Sequence, residues 1–305
     1  MIGATDVGPG LCDVTGRVRL DTAEGTAPAV DALLADAFGE ANVDRATLHA
    51  AFAFAQRLFD GREVGWLACD LPYHDLRHSL DAALATARLV AGQCQDSEAA
   101  RGFTADHGLA AVVLALLHDS GFLRRADEAH LCGPQLAATH EARSAALAAA
   151  YLATTPLARC ADLAPLMLCT RLSASPDALL AGRDAAAVTI GRMLGTADLV
   201  CQVADPLYVE RCFHHLYGEL VASGAPLPFR DARDLVAQTP AFHAKVVAPR
   251  LVRDLGDATR FLRAHFGGRD PYAEGAAANL RRCERIVAES AWDDIGAPPP
   301  TTTAM

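Results

Sequence analysis

The sequence has 305 residues, 51% of them hydrophobic, and a formal net charge of -10 at neutral pH. This composition predicts a folded protein with a substantial core and excludes a disordered tail or linker. Acidic residues are in excess and no run is rich in lysine or arginine, which argues against a nucleic-acid polymer or an anionic membrane surface as a partner.

Helical periodicity dominates the chain from residue 28 onward. Residues 1–27 are rich in Gly, Thr and Asp without periodicity, and we expect a loose leader there. Apolar residues then recur at helical spacing in nine segments: 28–39, 44–60, 75–92, 105–118, 140–153, 184–203, 206–222, 244–265 and 273–290. Residues 291–305 are expected to be a loose Pro/Thr tail. Without alternating strand patterns, the sequence predicts one all-α domain over 28–290.

Nine cysteines are scattered along the chain and form no C-x-x-C pair. This usage predicts reduced thiols rather than a disulfide framework or a zinc knuckle. The first residues lack the features of a signal peptide, and the longest apolar run, LAAVVLALL at 109–117, is too short to span a bilayer. We therefore expect a cytoplasmic protein. Its apolar helix faces leave open whether it forms a homo-oligomer.

Two histidines stand four residues apart in the stretch LPYHDLRHSLDAA at 71–83. Four residues make about one helical turn, so His74 and His78 should face the same way. Asp81 lies three residues further along that face. A helix packed against the core would carry apolar side chains on this face, so the polar stripe indicates a functional site.

Two further places put charge into apolar helix. His118 and Asp119 close the apolar run, and Asp198 lies within GTADLVCQVAD. Unpaired charge is costly in such surroundings, so these acids need a cation or hydrogen-bond partners. Two imidazoles and two carboxylates would suit Zn²⁺, Mn²⁺, Fe or Co better than Ca²⁺ or a thiolate-seeking metal. Four such ligands on an octahedral ion leave two positions for water or substrate.

The order of these motifs over residues 70–250 resembles the HD superfamily of metal-dependent phosphohydrolases, most of all the class I cyclic nucleotide phosphodiesterase catalytic domain. PYHDLRHSLDA is similar to that family's PYHNxxHAxDV, and LAAVVLALLHDSGF to its LAAxxxxxxHDxxHxG. THEARSAALAAAYL falls where the family carries NHHxxxxxxxLL, and GTADLVCQVADP resembles its CADLSNP segment. The resemblance implies a compact helical bundle around a deep metal-bearing pocket.

The same resemblance implies metal ligands at His78, His118, Asp119 and Asp198. Asp119 would bridge to a second ion held mainly by water, and the ions would be Mn, Fe, Zn or Mg. A metal-bridged hydroxide would attack the phosphorus of a cyclic nucleotide or related phosphodiester, and His74 would protonate the departing oxygen as general acid. The expected partner is therefore a small phosphorylated substrate.

Other side chains near the ligands could orient them or stabilise charge. The candidates are Asp75, Asp81, His140, Glu141 and Thr170. Of these, Asp75 or Glu141 could hold the imidazolium form of His74. Each of the five could instead cap a helix or pair elsewhere.

Several departures set this chain apart from the family pattern. Phe122 stands where the family has a second histidine after HD, and His140-Glu141 replaces its His-His pair, so the surroundings of the second metal differ. The family's nucleotide clamp is a Gln three residues before a Phe. Here Gln238 precedes Phe242 by four. We take these two as the base-contacting pair, although core packing would also explain Phe242.

Two other function classes remain open at this stage. HD folds also include di-iron oxygenases, whose second iron needs additional histidines, and between Asp119 and Asp198 the chain offers His130 and His140. The other class is a degenerate HD domain that binds a nucleotide or a partner without catalysis. Metal content would separate the oxygenase from a hydrolase, and turnover would separate the non-catalytic domain.

Overall fold

The computed structural model describes residues 11–298, so the first ten residues of the expected leader and the last seven of the expected tail lie outside it. Its α-helices are α1 (Ala23–Phe38), α2 (Arg45–Phe59), α3 (Leu76–Gln93), α4 (Ala105–Leu117), α5 (His140–Ala153), α6 (Pro176–Leu180), α7 (Ala185–Ala204), α8 (Tyr208–Arg211), α9 (Tyr217–Ala222), α10 (Ala232–Phe242), α11 (Thr259–His265) and α12 (Pro271–Glu289). Within 11–298 only two isolated bridges have β pairing, and no strand forms. The all-α prediction is confirmed.

Several helical stretches depart from α geometry. Ala158–Thr170 forms consecutive 3₁₀ turns. A π-helical turn at Cys212–Leu216 joins α8 to α9 without a break. Two further π turns, at His243–Val247 and Arg250–Asp254, extend α10 to residue 254. A π turn takes more residues than an α turn, so it changes which side chains share a face of the helix.

The predicted helix over 244–265 is divided in the structure. Gly256 (φ 64°) and Asp257 (φ 49°) adopt the left-handed region, through which a right-handed helix cannot continue. Leu255 and Ala258 on either side are both buried. The apolar spacing therefore runs across the break, which is why periodicity alone does not reveal it.

Two α-helices, α6 and α10, and the 3₁₀ turns at Ala158–Thr170 lie outside the predicted segments. α10 begins where the side chain of Asp231 accepts the backbone N–H of Asp234 at 2.8 Å. Its buried residues are only Leu235, Val236 and Thr239. This narrow apolar stripe gives a weak periodic signal.

The segment before α1 is packed rather than loose from residue 11 onward. Asp13 is fully buried and accepts the backbone N–H groups of Arg17 and Val18 at 3.0 and 2.9 Å. Arg88 of α3 pairs with the same carboxylate at 2.6 Å. Thr22 then caps α1, which begins at residue 23 instead of 28. At the other end, the expected tail is held where Ile295 packs into a buried cluster with α12.

α3 lies at the centre of the fold. All of its residues are buried, because α1, α4, α7 and α11 pack around it. Gly92 permits the close approach of α11, since a Cβ there would lie 1.8 Å from the carbonyl oxygen of Phe261. Polar side chains on α3 therefore cannot reach bulk water and must find partners inside the protein.

Arg250 ties the extended α10 to the chain that follows the 3₁₀ turns. Its buried guanidinium donates to four backbone carbonyl oxygens over 2.7–3.2 Å. The acceptors are the carbonyls of Cys169, Arg171, Leu172 and Ala174. One side chain thus replaces the backbone partners that an irregular segment lacks.

All nine thiols are unpaired. Among residues 11–298, no helix is long and apolar enough to cross a membrane.

The buried pair of Asp13 and Arg88 gives a test of the packed N-terminal segment. We expect Asp13→Ala to lower the free energy of unfolding by about 3–5 kcal/mol, because it leaves a buried guanidinium without its counter-charge. Adding Arg88→Met should recover part of that loss. Urea denaturation measures both, and a loss under about 1 kcal/mol for the single variant would mean that the segment is not packed as described.

Candidate metal centre

The start of α3 places His78 inside the protein and leaves His74 just ahead of the helix. Asp75 is the N-cap, and its Oδ1 accepts the backbone N–H of His78 at 3.0 Å. Arg211 donates to both carboxylate oxygens of Asp75 at 3.0 and 3.2 Å. Asp75 therefore caps the helix, which is one of the two roles that the sequence allowed. It does not hold the ring of His74, which was the other.

The four predicted ligands converge from α3, α7 and the end of α4. Nε2 of His78 lies 3.1 Å from Nε2 of His118. The same nitrogen lies 3.3 Å from Asp119 Oδ2 and 3.3 Å from Asp198 Oδ1. His118 Nε2 lies 3.1 and 3.5 Å from those two oxygens. Each of the two imidazole nitrogens thus lies within 3.5 Å of both carboxylates in the interior.

Local hydrogen bonds aim these side chains. Nδ1 of His118 donates to the carbonyl oxygen of Ala115 at 2.8 Å, which turns its Nε2 toward the cluster. Gln202, one turn after Asp198 on α7, donates its amide N–H to Oδ1 of that carboxylate. The cluster is therefore oriented from outside, as supporting groups orient metal ligands.

The ligand geometry fits a divalent metal ion. An ion about 2.1 Å from each ligand atom would place neighbouring ligand atoms about 3.0–3.4 Å apart, close to the distances observed. Asp119 Oδ2 is buried without a hydrogen-bond partner, and a buried carboxylate oxygen needs a positive neighbour. His78, His118 and Asp119 could together hold a metal ion, and Asp198 Oδ1 lies 3.3 and 3.5 Å from the same two imidazole nitrogens.

The charges of the cluster are strongly coupled. Burial alone would lower the pKa of His78, but the carboxylates of Asp119 and Asp198 outweigh it and raise that pKa to about 9. Burial likewise acts to raise the pKa of Asp119, but the two imidazoles hold it well below its usual range. Without a metal the site therefore holds protons, and a metal ion that binds must displace them.

His74 has a partner that the sequence analysis does not include. Its Nδ1 lies 2.6 Å from Oε2 of Glu219, a nearly buried carboxylate of α9. Oε1 of Glu219 accepts the backbone N–H of Tyr73 at 2.5 Å. The hydrogen bond from Tyr73 fixes the carboxylate of Glu219, and this carboxylate in turn fixes the imidazole of His74. Glu219 thus takes the place expected of Asp75 or Glu141.

Glu141, Thr170 and Asp81 occupy different surroundings. Glu141 accepts two bonds from Arg171 at 3.0 and 2.8 Å. The hydroxyl of Thr170 donates to the carbonyl oxygen of Met167 at 2.8 Å. Asp81 is buried one turn beyond His78, and its Oδ1 has no hydrogen-bond partner. Glu141 and Thr170 border the site but are engaged elsewhere.

Phe122 lies between two imidazole rings. Its ring stacks on His140 with centroids 3.9 Å apart and on His74 with centroids 4.8 Å apart. His140 Nε2 in turn lies 3.7 Å from Oδ1 of Asp119, the oxygen on the side away from His78. The phenyl ring therefore sets the positions of both histidines around the carboxylate.

A cavity of about 490 Å³ opens directly onto this cluster. At one end it is lined by His74, Asp119, His140 and Asp198. The rest of its lining is mainly apolar and includes Leu216, Leu220, Pro228, Phe229, Leu235 and Phe242. A ligand with a charged group and an apolar or aromatic group would match both parts of the lining.

The structure places only one member of the predicted base-contacting pair at the cavity. Phe242 lines it, together with Thr239, His243 and Val247. Gln238 is exposed and lies outside the lining. The π turn after residue 242 brings Val247 onto the cavity face, five residues from Phe242.

Glu219 and Gln202 are the functional candidates that sequence reasoning missed. Glu219 is more than 140 residues from His74 along the chain, and GELVAS around it has the appearance of an ordinary helix end. Gln202 carried a usable signal, since it lies four residues after Asp198 and so on the same helix face.

Comparison with known proteins supports the fold. No protein-family model matches the chain, and no curated protein matches it either. Among solved structures, the chain is similar to the phosphodiesterase domain of Salpingoeca rosetta rhodopsin phosphodiesterase, with a TM-score of 0.57, 16% sequence identity and 94% of each chain covered. The fold is therefore that of a phosphodiesterase-like helical domain.

Metal binding at the cluster can be measured directly. We expect the wild-type protein to bind Mn²⁺ or Zn²⁺ in calorimetry, and His118→Ala to weaken the tightest site by about 100-fold or more, since even groups that only orient ligands cost 10–100-fold. His49→Ala changes an exposed histidine and should leave that affinity unchanged. Equal affinity in His118→Ala and the wild type would place the ion elsewhere.

Asp81 predicts a pH dependence of stability. Burial raises its pKa to about 7, although Arg77 opposes this. The pKa of an aspartate in the unfolded chain is about 3.9. As the pH rises from about 4 to about 7, the unfolded chain loses this proton while the folded chain keeps it, so the free energy of unfolding falls. Over this pH range the free energy of unfolding of the wild type should fall by an amount on the order of 4 kcal/mol. Asp81→Asn should abolish that fall. Urea denaturation across pH with a chelator measures it, and parallel pH profiles for the two proteins would contradict it.

Proposed function

We propose that this protein is a metal-dependent phosphodiesterase acting on a small phosphorylated substrate. The observation that carries the proposal is the convergence of His78, His118, Asp119 and Asp198 at one end of a cavity that also holds the paired His74. When bound, divalent ions at such ligands would neutralise phosphoryl oxygens and activate a water for attack. The similarity of fold is consistent with this chemistry but does not carry it alone.

His74 is suited to act as the general acid. Glu219 holds Nδ1, so the opposite nitrogen, Nε2, is the one available to give a proton to the departing oxygen. The same contact fixes the orientation of the ring from which that proton is transferred. This is the arrangement in which a carboxylate positions an imidazole without itself exchanging the proton.

The cavity supports a phosphodiester with an aromatic or otherwise apolar organic group. Gln202 uses its oxygen to accept from Tyr73 and its N–H to hold Asp198. Thr239 donates its hydroxyl to the carbonyl of Leu235 at 3.0 Å. With these groups engaged, the organic part would contact mainly apolar side chains and stack near Phe242. A cyclic nucleotide is the leading candidate, recognised by its ring system rather than through Gln238.

Activity is tested by assaying the purified protein with Mn²⁺, Mg²⁺, Fe²⁺ and Zn²⁺ in turn. The substrates are cyclic AMP, cyclic GMP and bis-p-nitrophenyl phosphate. We expect metal-dependent hydrolysis that Asp119→Ala abolishes. A folded, metal-loaded protein without turnover on any of the three would contradict the proposal for these substrates. Two oxidisable irons in such a protein would favour an oxygenase, and bound nucleotide without turnover would favour a non-catalytic domain.

The role of His74 predicts a dependence on the leaving group. His74→Gln should lower kcat on a cyclic nucleotide by about 10²–10⁴-fold, since its leaving alkoxide needs a proton. The loss on bis-p-nitrophenyl phosphate should be much smaller, because p-nitrophenolate leaves without protonation. Glu219→Gln should show the same pattern more weakly. Equal losses on both substrates would mean that His74 binds substrate or shapes the site and is not the acid.

A further inference from the structure

His140 faces the metal cluster from the cavity side. Its Nδ1 lies 2.7 Å from the carbonyl oxygen of Ala137. A carbonyl oxygen can only accept, so Nδ1 carries the hydrogen and donates it. In the neutral ring that leaves a lone pair on Nε2. Nε2 lies 3.7 Å from Oδ1 of Asp119, whereas His78 and His118 contact the other carboxylate oxygen, Oδ2.

The contact between these two atoms is not a hydrogen bond. An N–H that donates to a carboxylate normally brings the two heavy atoms to about 2.7–2.9 Å, well inside the observed 3.7 Å. The separation instead matches two metal–ligand bonds of about 2.1–2.2 Å that meet at roughly 115–125°. An imidazole nitrogen and a carboxylate oxygen at this separation are spaced to share one metal ion.

The surrounding chain fixes this gap. Gly121, two residues after Asp119, packs against α5 so closely that a Cβ would lie 1.9 Å from the carbonyl oxygen of His140. Its backbone N–H donates to the hydroxyl of Ser144 at 2.8 Å, and Arg143 donates to its carbonyl at 2.8 Å. The turn that carries Asp119 is therefore bound to the helix that carries His140.

Phe122 fixes the ring itself. Its phenyl ring lies nearly parallel to that of His140, with an interplanar angle of 15° and centroids 3.9 Å apart. Phenylalanine offers no ligand atom, so on this side of Asp119 the imidazole of His140 is the nitrogen positioned to bind a cation. The side chain is also mostly buried, with 17% exposed.

We propose that His140 Nε2 is a protein ligand of a second divalent cation, which it shares with Asp119 Oδ1. The first cation would lie on the other carboxylate oxygen, among His78, His118 and Asp198, and in this respect the inference rests on the proposed function. Asp119 would then bridge two unlike sites, one with four protein ligands and one with two. Water would fill the remaining positions on the second ion, beside the imidazole of His140 and the carboxylate of Asp119.

A nitrogen ligand changes which metals the second site accepts. Imidazole suits Zn²⁺, Mn²⁺, Co²⁺ and Fe²⁺, whereas Mg²⁺ favours carboxylate and water. The second site should therefore discriminate against Mg²⁺ more strongly than a site made only of one carboxylate and water. Phe122 contributes by excluding any other ligand from this wall.

The test counts bound metal ions and does not depend on turnover. Wild-type protein, His140→Ala and His140→Gln are loaded with Zn²⁺ or Mn²⁺, and the ions are counted by mass spectrometry of the metal and by calorimetry. We expect two ions in the wild type and one in both variants. The affinity of the tighter site should be retained, and that of the weaker site should fall at least about 100-fold, which exceeds the loss caused by removing a group that only orients a ligand. Coupled Mn²⁺ spectra should appear in the wild type and be absent from both His140 variants.

His130→Ala is the matched control, because it removes an exposed histidine from the same stretch of chain. It should bind two ions like the wild type. The inference is overturned if His140→Ala and His140→Gln still bind two ions with unchanged affinities, or if the wild type binds only one. These outcomes are distinct from failure of the proposed function, which would appear as a protein with two bound ions and no hydrolysis.

Discussion

The buried meeting of two carboxylates and two imidazoles is the constraint on which the rest of the structure depends. Asp119 and Asp198 are enclosed at the centre of a helical core, and within 11–298 neither has a lysine or arginine in a salt bridge. Charges in such a place are stable only with a cation or shared protons. The packing of α3, α4 and α7 therefore has to place donor atoms within tenths of an ångström, and the glycine contacts and buried arginines around these helices serve that end.

The sequence reveals the cluster because each ligand breaks a local rule. A histidine or an aspartate in the middle of an apolar helix is costly, so His78, His118, Asp119 and Asp198 stand out against their own segments. Glu219 could not be found in this way, because it follows no local rule and meets His74 only through the tertiary fold. Helix positions follow from periodicity wherever one face is apolar, whereas breaks caused by backbone conformation stay hidden.

The cavity shows the same division between local and tertiary information. Phe242 faces it as expected, but the extension of α10 through π turns decides which neighbouring side chains accompany it, and nothing in QTPAFHAKVV specifies those turns. The histidine–aspartate cluster is thus readable from spacing, since its residues are chemically distinctive. The organic end depends on helix geometry, and apolar residues there resemble core residues in every sequence pattern.

The four carbonyl bonds of Arg250 give the cavity an uneven mechanical character. They join the extended α10 to the chain at 169–174, so two walls of the cavity move as one piece. The opposite wall includes Pro228 and Phe229, which lie in the irregular connection between α9 and α10. Separating the joined walls would strip a buried guanidinium of its partners, which is costly. Entry and exit of a ligand would therefore displace the connection between α9 and α10 and leave the walls joined by Arg250 in place. The rates of ligand exchange should then respond to changes in residues 223–231.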